Sequence, residues 1–139
     1  MMEESTGTDR ESPPGATETQ PQDQPVILLC FLRRKPGLSP AEFKQYYESR
    51  HAPLVTSLFP QIFRYERLYL DEGRIQAGEP LDVDVMTQIW FRSQTEYDAF
   101  LANRSQETTD RIIADEEQFL DRANKQIYLV GAPERSQIP

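Results

Sequence analysis

The stretch that most constrains the fold is VILLCFL, residues 26–32, apolar at all seven positions. A continuous apolar run this short reads as a strand, and with apolar residues in both alternating sets the strand is buried on both faces. A sheet built around it needs a cover on each side. Pro36-Gly37 closes the run as a turn, and Ser39-Pro40-Ala41-Glu42 follows. Ser39 is placed as an N-cap, Pro40 takes the first helical position and Glu42 stands three residues after the cap. That is the spacing of a capping box, and it marks a helix start.

Phe43, Tyr47, Leu54 and Leu58 recur at near-helical spacing through this first helix. Pro53 disfavours helical geometry at Ala52, which predicts a bend or restart just after His51. QIFRYERLYL then alternates, with Phe63, Tyr65 and Tyr69 on one side and Ile62, Leu68 and Leu70 on the other. This predicts a second strand. After a polar loop, DVMTQIWF predicts a third strand ending near Phe91. Ser93 and Glu96 repeat the capping-box spacing ahead of Tyr97, Phe100 and Leu101. The helix is expected to break near Asn103-Arg104-Ser105 and to resume with Ile112, Ile113, Glu116, Phe119 and Leu120 on one face. QIYLVG closes the order as a short strand.

The order βαββαβ predicts a ferredoxin-like α+β unit, a four-stranded antiparallel sheet with helices on one face. Helices cover only that face. Because strands 1 and 2 are apolar on both sides, the other face is expected to pack on a second copy, giving a homodimer and a dimeric α/β barrel.

Residues 1–25 are rich in Glu, Ser, Thr, Pro and Gln and carry no aromatic, so a disordered acidic tail is expected there. The folded domain is expected over 26–131, with a loose C-terminal tail at 132–139. The net charge of −8 belongs mainly to the N-terminal tail, which holds six acids against Arg10. The other 114 residues carry 17 acids and 14 bases, so no basic footprint for nucleic acid exists. No apolar run approaches the ~20 residues of a membrane span. One Cys, Cys30, forms no internal disulfide and fits a reducing, cytoplasmic setting. One Cys and one His do not supply the three or four ligands a zinc site gathers, and no metal is expected.

His51 is the only histidine, four residues after Tyr47 and on the face that should turn to the sheet. Two readings stand side by side. Either it is a helix-terminal histidine satisfied in the core, or it is a general acid/base in the cleft between helix and sheet, suited to both directions of proton transfer near neutrality. Tyr46 and Tyr47 are either packing aromatics or phenol donors beside that imidazole. Trp90, Phe63 and Tyr65 are candidates to stack on a planar ligand, or are simply core. Arg33 either binds a substrate carboxylate or belongs to a solvated basic turn.

LLCFLRRKPGLSPAEFKQYYESRHAPLV resembles the opening of an EthD-type domain: a strand, a Lys-Pro-Gly-Leu-Ser turn, a Glu-Phe helix and a His-x-Pro-Leu element. TQIWF and ADEEQFLD fit its second half. The resemblance implies a dimeric α+β barrel with its ligand pocket between sheet and helices, where spacing put His51. Within that family the chain is most similar to small fungal enzymes of aromatic polyketide pathways, assigned as decarboxylases of anthraquinone-type acids or as dehydratases. The expectation is therefore a cofactor-independent lyase acting on an aromatic polyketide, with His51 as its catalytic acid and Tyr47 aiding it. Dehydration, cofactor-free oxygenation of an anthrone, and non-catalytic carriage of the metabolite are the alternatives.

Overall fold

The computed structural model describes residues 24–139; the tail expected at 1–25 lies outside the described residues apart from Gln24 and Pro25. Strands β1 (Val26–Leu32), β2 (Ile62–Tyr69), β3 (Val85–Phe91) and β4 (Gln126–Val130) form one antiparallel sheet in the order β2-β3-β1-β4. Helices α1 (Pro40–Tyr46) and α2 (Ala52–Leu58) connect β1 to β2, and α3 (Gln94–Ala102) and α4 (Gln106–Glu116) connect β3 to β4. This is the expected ferredoxin-like α+β fold, with the wholly apolar run as a central strand. Residues 131–139 follow without regular structure. No helix of the described residues is long and apolar enough to cross a membrane.

Local chemistry sets the element ends. Leu38 N–H returns to Lys35 C=O across Pro36-Gly37, and Gly37 takes φ of 97°, a turn that wants glycine. The capping box at Ser39 is complete: Glu42 N–H donates to Ser39 Oγ at 3.1 Å, and Ser39 N–H to Glu42 Oε1 at 2.8 Å. At Ser93 only half of it forms among the described residues, Glu96 N–H donating to Ser93 Oγ.

One expectation is sharpened and one is corrected. The change in the first helix just after His51 is a change of winding, with α2 starting at Ala52. The helix widens into a π-helical turn over Tyr47–His51, with Ala52 N–H bonding Tyr47 C=O five residues back, and runs on as α2. Pro53 has no N–H to give the ladder, and one wide turn absorbs that defect without ending the helix. In β2 the expected alternation fails at its start. A bulge between Ile62 and Arg64 pairs Ile62 with Phe91 and Arg64 with Trp90, leaving Phe63 as the extra residue. Ile62 and Tyr65, three residues apart, therefore both face the helices, while Phe63 and Arg64 both lie against Trp90 on the other side.

The helix-facing core falls into two clusters. One gathers Cys30, Leu32, Phe43, Tyr47, Ala52, Val85, Phe119 and Leu120; the other Val26, Val55, Phe59, Phe91 and Phe100. Leu28, Tyr65 and Ile89 touch both. The opposite sheet face presents Leu29, Phe31, Met86, Trp90, Leu68 and Tyr128 by register, and Leu68 and Tyr128 are about half exposed at 49% and 57%. The second apolar face inferred from the sequence is thus present.

Candidate active site

Between the two core clusters lies a cavity of about 340 Å³, walled by Leu28, Cys30 and Leu32 of β1, Thr87 and Ile89 of β3, Tyr47, His51 and Val55 of the first helical segment, and the inner face of α4. That volume is at the lower end of the ~300–1,000 Å³ typical of small-molecule sites. It suits one flat ring system. The π-helical turn ends at His51, so the widened turn and the cavity meet at this residue. Such turns recur at functional sites.

His51 is almost fully buried at 6% side-chain exposure, and its Nδ1 lies 2.7 Å from Asp115 Oδ2 on α4. An acceptor carboxylate there assigns the proton to Nδ1 and leaves the lone pair on Nε2. Nε2 has no hydrogen-bond partner among the described residues, yet it is not among their sealed-off unpaired polar atoms. It opens on the cavity. The other carboxylate oxygen, Oδ1, accepts from the Tyr46 hydroxyl at 2.7 Å. Phe119, fully buried, packs 4.8 Å from the His51 ring and stacks 5.2 Å from Tyr46. Burying that phenyl group contributes about 1.5–3 kcal/mol and holds both partners of Asp115 in place.

A second polar group faces the same space. Tyr47 Oη bonds Thr87 Oγ1 at 2.9 Å and Tyr65 Oη at 3.1 Å, and its ring stands edge-on to His51 at 5.6 Å. Burial pushes the Tyr47 phenol up to about 12, the bonds to Thr87 and Tyr65 opposing it. Burial and then neighbouring Tyr47 raise Tyr65 well above the phenol range. Both stay protonated at neutral pH, as hydrogen-bond donors. Behind them Arg67 lies over the Tyr65 ring at 4.6 Å and bonds Glu48 through two nitrogens. Those bonds hold the Glu48 carboxyl below the usual carboxylate range.

Of the residues singled out by sequence, His51, Tyr47 and Tyr65 come together on the cavity. Four do not. Tyr46 sits behind Asp115, its phenol raised to about 12 by burial and then by the bond to that carboxylate. Trp90 and Phe63 pack edge-on at 6.3 Å on the far face of the sheet, because Trp90 alternates with inward Ile89 and the bulge turns Phe63 outward. Arg33 is tied to Asp82 and lines a separate surface cleft. Asp115 and Thr87 were missed; they lie 64 and 36 positions from His51 in sequence, and only the fold unites them. Among the described residues no three of His, Cys, Asp or Glu converge as metal ligands.

The architecture is shared with solved proteins at low identity. An EthD-like protein from Ralstonia eutropha superposes with a TM-score of 0.55 at 18% identity, over 82% of this chain and 97% of that one. A dimeric ferredoxin-like protein of unknown function from Thermobifida fusca gives 0.53 at 14%, over 82% and 96%. SnoaB, a cofactor-independent oxygenase from Streptomyces nogalater, gives 0.53 at 14%, over 84% and 98%. No curated protein matches the sequence. The profile of the EthD domain matches residues 35–123, from the turn after β1 through the α4 dyad carboxylate to the turn before β4, and the chain belongs to the EthD domain family.

Proposed function

We propose that this protein is a cofactor-independent lyase that moves a proton on a planar aromatic polyketide, and that its reaction is loss of CO2 from an anthraquinone-type β-keto acid. The observation that carries the reading is the His51–Asp115 pair, with Nε2 open to a cavity walled by aromatic and aliphatic side chains. With the substrate ketone at Nε2–H of protonated His51, the bond from the α-carbon to the carboxyl carbon breaks. Its electron pair forms the enol double bond, the ketone oxygen takes the proton, and CO2 leaves. Asp115 offsets the imidazolium charge in the meantime, as a carboxylate does for a histidine acid/base. The enol then takes a proton from water at carbon and returns its O–H proton to Nε2, so that one solvent proton is consumed for each CO2 released. Positioned acid catalysis of this kind contributes ~10²–10⁴-fold. Tyr47 is assigned as a second donor and Tyr65 as a wall of the site.

Dehydration of a β-hydroxy ketone uses the same base to remove the α proton. A further reading, cofactor-free oxygenation, is favoured by the likeness to SnoaB, described as a cofactor-independent oxygenase. We place the protein as a homodimer, paired through the apolar sheet face that carries Trp90 and Phe63. The single cysteine supports a reducing compartment such as the cytoplasm.

The test is mass spectrometry of a freshly generated aromatic β-keto acid with the wild type and His51→Gln. Loss of CO2 in the wild type alone supports the lyase. Equal conversion by both removes His51 from it, loss of water moves the assignment to dehydratase, and oxygen uptake moves it to oxygenase.

A further inference from the structure

The cavity has a charged corner that the proton-transfer chemistry does not use. Glu116, the last residue of α4, directs one oxygen at two cations. Its Oε1 accepts from Arg122 Nε at 2.8 Å and from Lys125 Nζ at 3.0 Å. All three side chains line the cavity, with exposures of 13%, 33% and 23%. One carboxylate against two cations leaves a surplus positive charge there. Arg104 adds another elsewhere on the wall, with no ion-pair partner among the described residues.

The same wall carries Leu120, Ile127 and Cys30. Arg122 and Lys125 are only partly solvated at this rim, and a ligand anion meeting them there is screened less than one on open surface. Arg122 spends only Nε on Glu116. Its NH1 and NH2 edge has no partner among the described residues, and that edge matches the two oxygens of a carboxylate. Lys125 beside it supplies a further N–H donor.

We infer that Arg122 and Lys125 form a carboxylate subsite, which holds the carboxylate of the cavity's planar aromatic ligand while its ring system lies toward His51. The inference rests on the reading of the cavity as the site of an aromatic acid, but it concerns binding and not the reaction. It also supplies directionality. Once the carboxylate leaves as CO2 the product carries no charge for this corner, so the substrate is held and the product is let go.

The experiment is calorimetric titration of the full chain with a matched pair of probes, anthraquinone-2-carboxylate and anthraquinone-2-carboxamide, at pH 7. The carboxylate is expected to bind about tenfold or more tightly than the amide, the scale of a charge-assisted hydrogen bond. Arg122→Gln with Lys125→Gln should abolish that preference and leave amide affinity unchanged. Glu116→Gln, which removes the competing anion, should raise carboxylate affinity, a gain that damage to the fold does not mimic. No tighter binding of the carboxylate than of the carboxamide by the wild type overturns the subsite, as does a preference that survives the double substitution. Turnover is read separately: CO2 loss without the preference overturns the subsite alone, and the preference without CO2 loss overturns the lyase alone.

Discussion

Replacing Asp115 separates what this carboxylate does for the fold from what it does for His51. Its two oxygens satisfy the Tyr46 hydroxyl and the buried Nδ1 of His51, both at 2.7 Å. Asp115→Ala leaves two polar groups without a partner. At about 1–3 kcal/mol for each unpaired group, and with Tyr46 only half-buried, the expected loss is about 3 kcal/mol. With a urea slope of about 1–3 kcal/mol per M, the midpoint falls by about 1–3 M. Asp115→Asn has nearly the same shape, and its amide accepts from one partner while it donates to the other. Its stability should stay within about 1 kcal/mol of wild type. Turnover should still drop. The neutral amide no longer opposes the imidazolium charge, and a charge-assisted bond is worth about 1.5–3 kcal/mol, or about 10–150-fold in kcat. Urea denaturation and initial rates of CO2 release from an aromatic β-keto acid read the two effects independently. A folded Asp115→Asn variant with wild-type kcat would refute the dyad, and an Asp115→Ala variant as stable as wild type would refute the hydrogen-bond accounting.

Two further predictions concern stability and assembly. Glu48 is held below its ordinary value of 4.5, first by the Arg67 hydrogen bonds. Its contribution is therefore complete above that value and fades as pH falls through the lower, folded-state value. Glu48→Gln should cost about 1 kcal/mol or less at neutral pH, because its side chain is 37% exposed and screened, and should flatten the acid limb of stability. Parallel acid limbs in the two proteins would contradict this. Leu68→Arg with Tyr128→Arg, at half-exposed positions of the free sheet face, should leave the fold intact and turn a dimer into a monomer in sedimentation equilibrium. A wild type already monomeric at micromolar concentration would remove the sheet-to-sheet dimer.

What the sequence made legible follows from the range of the interactions involved. The capping box at Ser39–Glu42 closes within four residues, and the apolar run at 26–32 states its own burial, so the first strand, turn and helix start could be read directly. The order of elements then dictated the sheet. Stacking roles were another matter. Phe63 looks like a pocket aromatic only while β2 is assumed to alternate regularly, and a single bulged residue moves it to the other face, where Trp90 already points by its alternation with Ile89. The partner of His51 was out of reach for a different reason. Asp115 is one of several acids in ADEEQ, and nothing local distinguishes it from Glu116, its neighbour, which turns instead to Arg122 and Lys125.

The change of winding announced by Pro53 falls at the residue that the fold puts to use. Pro53 predicts a bend or restart just after His51, and α2 starts at Ala52. A π-helical turn admits the extra residue and keeps the helix running. Tyr47 and His51, the first and last residues of that turn, lie side by side on the cavity, with Glu48 turned away to Arg67. A regular helix spaces its side chains by 100° per residue, and the wide turn shifts the phase of everything after it. At the end of that turn His51 meets Asp115, and Val55, four residues on, lines the same cavity. The proline and the histidine of the His-Ala-Pro element thus mark one place in the fold, where the change of winding meets the only imidazole of the chain.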